Sequence, residues 1–323
     1  MTRGPAWYAD AVRLLPTPTA VEPLSGLPLW IKRDDRILEP YGGNKVRKLE
    51  RFLGDARAKG KTRLLTLGAA GSHQLVAASI YGRAEGFEVE AVVVPQPATA
   101  HARRNLRIAL GHGLRAVAVP AWSLGPAVLA ARRGRDAYVI PLGGSNVIGA
   151  LAFASAAREL EAQVRRGDLP EPDVIVVALG SGGTAAGLAV GLEQAGMRSR
   201  VVGVAISHPT PVLSVLATRL ARATARRCGA STKAALRLAV DRRWVGRGYG
   251  HPTAEGEAAV REAAARGIDL DSTYTGKAFA CALALAREGK QVLFWHTLST
   301  FPIEPLLAGA PVALPARLER LLR

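Results

Sequence analysis

DVIVVALGSGGTAAGLAVGLEQAGMRSRVVGVAIS, residues 173–207, sets two apolar runs, VIVVAL and VVGVAI, on either side of a helical pattern. Each run is too short for a buried helix and rich in β-branched residues, so both read as strands buried on two faces. A strand, a helix and a second buried strand in that order predict a parallel sheet with helices on each side. The glycines of GSGG fill the turn between the first strand and its helix.

The same alternation runs outward in both directions. RLLTLG (63–68), VEAVVVP (89–95), LRAVAVP (114–120) and DAYVIPLGG (136–144) read as strands. Between them SHQLVAASIYGRAEG, TAHARRNLRIALGHG and LGPAVLAARRGR carry helical spacing. A long helix follows at NVIGALAFASAARELEAQVRRG (146–167), a late strand at QVLFWHT (291–297) and a short surface helix at LPARLERLLR (314–323). The fold class is therefore α/β, with two parallel-sheet domains and helices on both faces. The expected division places residues 48–155 in a small domain inserted into a large one made of 1–47 and 156–323.

No apolar run reaches the roughly 20 residues needed to cross a bilayer, so no membrane partner is expected. The first residues lack the continuous apolar core of a signal peptide. Cys228 and Cys281 are the only cysteines, which points to a reduced, cytoplasmic setting. The net charge of +17 is spread along the chain as single or paired arginines. It comes with no zinc spacing, basic heptad region or aromatic RNA-binding signature, so no nucleic-acid partner is expected. Solvated helix faces account for the charge, with an anionic substrate or cofactor as the other source.

Two motifs carry chemistry. The turn Gly180, Ser181, Gly182, Gly183, Thr184 opens a helix, where outward N–H groups and the dipole hold an anion; a plain strand-to-helix turn is the alternative. It lacks the Gly-Lys-Ser/Thr of a Walker loop. The spacing after Gly182 and the absence of an acid after the next strand also exclude a dinucleotide fingerprint. A phosphate monoester fits better. The second motif is YGGNKVRKLE (41–50), where Asn44 reads as a helix cap and Lys45 as the first helical residue. The positive helix end disfavours a charged amine there, and Lys48, on nearly the same face, adds to the effect. A neutral-leaning lysine and a phosphate cradle suit pyridoxal 5′-phosphate held as a Schiff base. No metal ligand set is expected.

On these residues the sequence resembles the fold-type II, tryptophan synthase β-like, pyridoxal-phosphate enzymes. It is most similar to the group of D-cysteine desulfhydrase and 1-aminocyclopropane-1-carboxylate deaminase. IKRDD with GGNKVRKLE, GSHQ, GGSN, GSGGT, GYGHP and YTGKA match motifs of that group over about Leu29–Pro302. The resemblance implies Lys45 as the Schiff-base lysine, with Asn44 and Lys48 also at the cofactor, His73 next to the cofactor's phenolic oxygen as well as the substrate, and Ser72 and Gln74 at the substrate. It implies Tyr249 facing the substrate, Tyr274 and Thr275 on the turn near the pyridine nitrogen, the tyrosines orienting the carboxylate or assisting proton transfer, and the Gly180–Thr184 loop on the phosphate. Threonine at 275 in place of a deaminase-type glutamate favours β-elimination on a small amino acid, D-cysteine first. The alternatives are a cyclopropane deaminase, an amino-acid racemase and a cofactor-binding protein without turnover. A homodimer is implied. Three departures mark the chain: His73 for asparagine, Gly71 for glutamine, and HTLSTFP (296–302) for a His-Thr-Gly-Gly-Pro-like loop.

Overall fold

The computed structural model describes residues 12, 14, 15 and 18–322. In chain order the elements begin with β1 (Val21–Leu24), β2 (Leu29–Lys32), α1 (Asn44–Ala58), β3 (Arg63–Ala69) and α2 (His73–Ala84). Next come β4 (Glu88–Val94), α3 (Ala100–Gly111), β5 (Arg115–Ala118), α4 (Gly125–Ala131), β6 (Ala137–Ile140) and α5 (Val147–Arg166). The chain continues through β7 (Val174–Leu179), α6 (Gly183–Gln194), β8 (Arg200–Ala205), α7 (Thr210–Arg227) and β9 (Leu238–Asp241). It closes with α8 (Ala254–Ala264), α9 (Thr275–Arg287), β10 (Val292–Trp295) and the short α10 (Ala316–Glu319).

The residues group into two compact units. The larger, Leu15–Lys48 with Ser145–Thr300, holds a six-stranded sheet in the order β1-β2-β10-β7-β8-β9. All its pairings are parallel except the edge pair β1 and β2. Alternate residues of β7 feed opposite layers, as the period of a strand requires. Val174 and Val176 pack with Phe279 and Leu283 of α9, whereas Ile175 and Val177 pack with Leu160 of α5 and Leu188 of α6. Both faces are covered, which is why the strand sequences are continuously apolar.

The smaller unit comprises Leu49–Gly144 and the chain from Phe301 on. Its four strands run parallel in the order β5-β4-β3-β6. Besides placing Val12 and Leu14 with the smaller unit, the division departs from the expectation at two places. The return to the larger unit falls at Ser145 rather than residue 156, and the C-terminal stretch groups with the smaller unit. The reason for the second is local: Leu322 pairs with Gln96, and Arg107 donates to the Pro311 carbonyl at 2.7 Å. The C-terminal helix is correspondingly less superficial than its sequence implied, with Leu318, Leu321 and Leu322 buried. Among the described residues, no helix is long and apolar enough to cross a membrane, and no group of three or more His, Cys, Asp or Glu could hold a metal ion.

Candidate active site

The glycines before Lys45 are demanded by space. A Cβ on Gly42 would stand 2.2 Å from the Asp35 carbonyl oxygen, and one on Gly43, where φ is +86°, 2.6 Å from that of Thr297. Three hydrogen bonds then fix the start of α1. Gly42 N–H donates to Ser299 Oγ at 2.9 Å, Gly43 N–H to Asp34 O at 2.7 Å, and Asn44 N–H to Thr297 O at 3.2 Å. Ser299, one of the residues that replace the expected glycines, thus ties the loop to the lysine-bearing turn. Thr300 adds a second tie through its hydroxyl to Asp35 Oδ2 at 2.9 Å. The helix begins at Asn44, so Gly43 occupies the cap position and Lys45 is the second helical residue. The Asn44 amide, expected to cap α1, donates to Thr184 Oγ1 at 3.1 Å.

Behind this turn lies a buried ionic network. Arg47 makes a two-nitrogen bridge to Asp34 at 2.8 and 2.7 Å and reaches Glu159 at 2.8 Å. Lys32, fully buried, reaches Glu159 at 2.5 Å and Gln163 at 2.6 Å. Trp295 Nε1 donates to Asp34 Oδ2 at 2.7 Å. Burial alone would raise the Glu159 carboxyl, but Arg47 and Lys32 outweigh it and hold the group at about 2. Charges buried in this way persist only when paired. The IKRDD motif is therefore the foundation of the first turn of α1.

Lys45 is half-buried, and burial pushes its amine down to about 8. Lys48 is buried, with Nζ 5.9 Å from the centre of the Phe153 ring. Its amine is lowered further, first by burial and then by the charge of Lys45.

The cradle is built from β7, the GSGG turn and α6. Gly182 has φ +87° and precedes the helix without a side-chain cap of its own. Ser145 Oγ accepts from Gly183 N–H at 3.0 Å and lies 2.7 Å from Ser181 Oγ. A Cβ on Gly183 would meet Ser145 Oγ at 2.6 Å and Lys48 Nζ at 3.2 Å. Two hydroxyls, a helix start and a lysine converge where only glycine leaves room. This donor set fits a phosphate monoester and presents no carboxylate to repel it. Ser145 lay within the GGSN motif with no assigned role.

The turn before α9 completes this side. Asp271 accepts from the N–H groups of Thr273, Tyr274 and Thr275, and from the Thr275 hydroxyl at 2.7 Å. The Asp271 N–H in turn donates to Thr275 Oγ1 at 2.8 Å. Thr275 has therefore committed its hydrogen and can offer only acceptance. Tyr274 O–H donates to Tyr249 Oη at 2.9 Å, with the rings edge to face. Burial raises both phenols, so the pair stays protonated. Lys277, fully buried, donates to the carbonyls of Val245 and Gly248 at 2.9 and 3.3 Å and fastens the turn that carries Tyr249. Asp271 and Lys277 escaped the sequence reading. A carboxylate four residues before a helix start was the available signal for Asp271.

Ser72, His73 and Gln74 belong to the smaller unit. Ser72 caps α2 by accepting from Gln74 N–H at 3.2 Å, which leaves its hydroxyl hydrogen available. His73 opens the helix with Nε2 3.1 Å from Nε2 of His101 on α3. A Cβ on Gly71 would stand 2.5 Å from Ala102 Cα, so glycine there admits α3 against the turn.

Residues 12–297 match the family described as pyridoxal-phosphate dependent enzyme. The chain belongs to that family. It is 35% identical over 288 residues to D-cysteine desulfhydrase of Klebsiella pneumoniae (strain 342), covering 83% of this chain and 86% of that one. It is 37% identical over 306 residues to nocardicin C-9′ epimerase of Nocardia uniformis subsp. tsuyamanensis, covering 90% and 92%. A solved structure described as an ACC deaminase homologue superposes with a TM-score of 0.78 at 30% identity, over 93% of this chain and 96% of that one. The chain is thus a fold-type II pyridoxal-phosphate enzyme of the desulfhydrase and deaminase group. Its cofactor is pyridoxal 5′-phosphate.

Proposed function

We propose that this enzyme carries out β-elimination on a small amino acid, with D-cysteine as the preferred substrate. Water is consumed, and pyruvate, ammonia and sulfide are released. The observation that carries this reading is the turn before α9. Asp271 is spent on four hydrogen bonds within its own helix start, so Thr275 presents a neutral hydroxyl and no carboxylate. A neutral partner favours reactions in which a leaving group at Cβ takes the electrons away.

Lys45, Lys48, Asn44, Ser145 and the Gly180–Thr184 loop would hold the cofactor, with Thr275 beside its ring. Bound pyridoxal phosphate supplies the sink that makes the Cα proton removable. Lys45, with its amine near 8, takes that proton as the base. The Tyr249 hydroxyl keeps its own hydrogen while accepting from Tyr274, so it can donate to the departing thiolate. Ser72 offers a hydroxyl hydrogen, and Gln74 an amide, to the substrate carboxylate. The enzyme is further proposed to act as a cytoplasmic homodimer, consistent with the free thiols of Cys228 and Cys281.

Epimerisation at Cα is the second reading, favoured by the relative named as an epimerase. A panel of D-cysteine, L-cysteine, β-chloro-D-alanine and 1-aminocyclopropane-1-carboxylate, assayed for keto-acid release, separates the readings. D-cysteine and the chloride should yield pyruvate, and the cyclopropane should yield nothing. Exchange of the Cα proton in heavy water without keto acid would replace elimination by epimerisation.

A further inference from the structure

Lys277, on the first turn of α9, is as deeply buried as Lys32 but is held differently. Lys32 has the Glu159 carboxylate. Lys277 makes no ion pair among the described residues and gives its ammonium to two backbone carbonyls, those of Val245 and Gly248, at 2.9 and 3.3 Å. Burial pushes the amine down, against the pull of the Asp271 charge. A cation taken out of water without a counter-ion is costly, and an apolar side chain of similar volume often serves such a position at least as well. The ammonium is therefore kept for what it holds.

The turn in its grip is weakly fixed by its own bonds. Gly246, Gly248 and Gly250 all have positive φ, and glycine loses more freedom on ordering than any other residue. Gly248 N–H donates to Val245 O at 3.1 Å and His251 N–H to Gly248 O at 3.3 Å, with His208 Nε2 3.1 Å from Gly246 O. Arg247, in the middle, is exposed. Tyr249 follows directly, and its Oη accepts from Tyr274 at 2.9 Å. Tyr274 stands three residues before Lys277, so one turn at the start of α9 holds the Tyr249 segment at two points, by a phenol and by an ammonium.

We infer that Lys277 is a positioning residue for Tyr249, keeping its hydroxyl against Tyr274 and so able to give a proton to the leaving group. This rests on the reading of Tyr249 as the donor to the departing thiolate. When the Cβ–S bond breaks, its electron pair stays on sulfur and the Tyr249 proton meets it. The phenolate left behind is steadied by the hydrogen bond from Tyr274, which makes Tyr249 the stronger acid, and it recovers its proton from solvent. A turn that drifts loses that hydrogen bond and the acid with it. Leaving groups divide accordingly: sulfide gains from a proton, whereas chloride, a far weaker base, departs without one. Lys277 thereby bears on which substrates are eliminated quickly.

The test measures holoenzyme rates on D-cysteine and β-chloro-D-alanine for the wild type, Lys277→Met, Tyr249→Phe and the double variant. Tyr249→Phe should lower the ratio of the D-cysteine rate to the chloride rate by roughly tenfold or more, and Lys277→Met should lower it in the same direction. In the Tyr249→Phe background, Lys277→Met should shift the ratio no further, because the lysine acts through the tyrosine. In the apoenzyme, trypsin should cut after Arg247 about tenfold faster once Lys277 is replaced, as the turn opens locally. A lysine with only a structural role would slow both substrates alike. A ratio that Tyr249→Phe moves and Lys277→Met does not overturns the inference and spares the reading of Tyr249. Cutting after Arg247 at the wild-type rate overturns it as well. Should Lys277→Met fail to fold, Lys277→Gln, which keeps an N–H donor of shorter reach, carries the same comparison. If D-cysteine is not turned over, or Tyr249→Phe leaves the ratio where it was, the underlying reading fails and the inference falls with it.

Discussion

An amine near 8 changes what Lys45 can do at neutral pH. At pH 7 about one molecule in ten carries it neutral, against fewer than about one in a thousand for an ordinary lysine near 10.4. Only the neutral form attacks an aldehyde. The cause is burial, and burial follows from the glycine turn that Ser299, Thr297 and Asp34 hold in place. The sign follows directly: below pH 8 protonation withholds the nucleophile, and above it the nucleophile is fully present. With excess pyridoxal phosphate, the rate at which the apoenzyme gains its visible band should rise about tenfold per pH unit and level off near pH 8. Lys45→Arg should show no covalent band at any pH. A rate still climbing tenfold per unit beyond pH 9.5 would place an unperturbed lysine at the site.

Helix α6 can carry the cradle because it packs unusually close to α5. A Cβ on Gly187 would stand 2.1 Å from the Ala150 carbonyl oxygen, and one on Gly191 2.5 Å from that of Ala154. Neither obstacle is a movable side chain, so Gly187→Ala must push the helices apart. A cost of about 2 kcal/mol or more is expected, read from the urea midpoint of the apoenzyme. Cofactor affinity should fall with it, because the displaced helix start carries Gly182 and Gly183. An unchanged midpoint would mean that α5 and α6 are not in this contact. The sequence disclosed β7, α6 and β8 because continuous apolar runs and a glycine turn are local signals. It did not disclose β2 or β9. LWIK ends in Lys32, whose burial depends on Glu159 far along the chain, and LAVD ends in Asp241, which turns to Arg243 and Trp244. The candidate site divides in the same way. Lys45 and the GSGG turn announce themselves through neighbouring residues. Ser145, Asp271, Lys277 and His101 acquire their roles only from partners that folding brings to them. Gly71 and Ser299 first appeared as departures, and their reason is steric in one case and a backbone N–H in the other.

Across the molecule, 43 basic residues face 26 acidic ones, so carboxylates are the scarce partner and several serve two cations. Glu90 takes Arg63 and Arg132, and Glu262 takes Arg266 and Arg287. Glu159 has the most demanding position, between Lys32 and Arg47 in the interior. Its folded-state value of about 2 lies below the ordinary 4.5, so the unfolded chain binds the proton more readily. The stabilisation is therefore fully present above about pH 4.5 and is lost as pH falls towards 2, amounting to about 3 kcal/mol over that range. Each protonation also adds charge to a chain already at +17, which works against the compact state. Glu159→Gln should be strongly destabilised at pH 7, by about 3–5 kcal/mol, because two buried cations lose their counter-charge. It should also lose stability less steeply in acid. Between pH 4.5 and 3, about 2 kcal/mol of the wild-type decline should be missing, measured by urea unfolding at each pH. Parallel declines in the two proteins would show that Glu159 is not held low, and the ionic foundation under Lys45 would then have to rest on Asp34 alone.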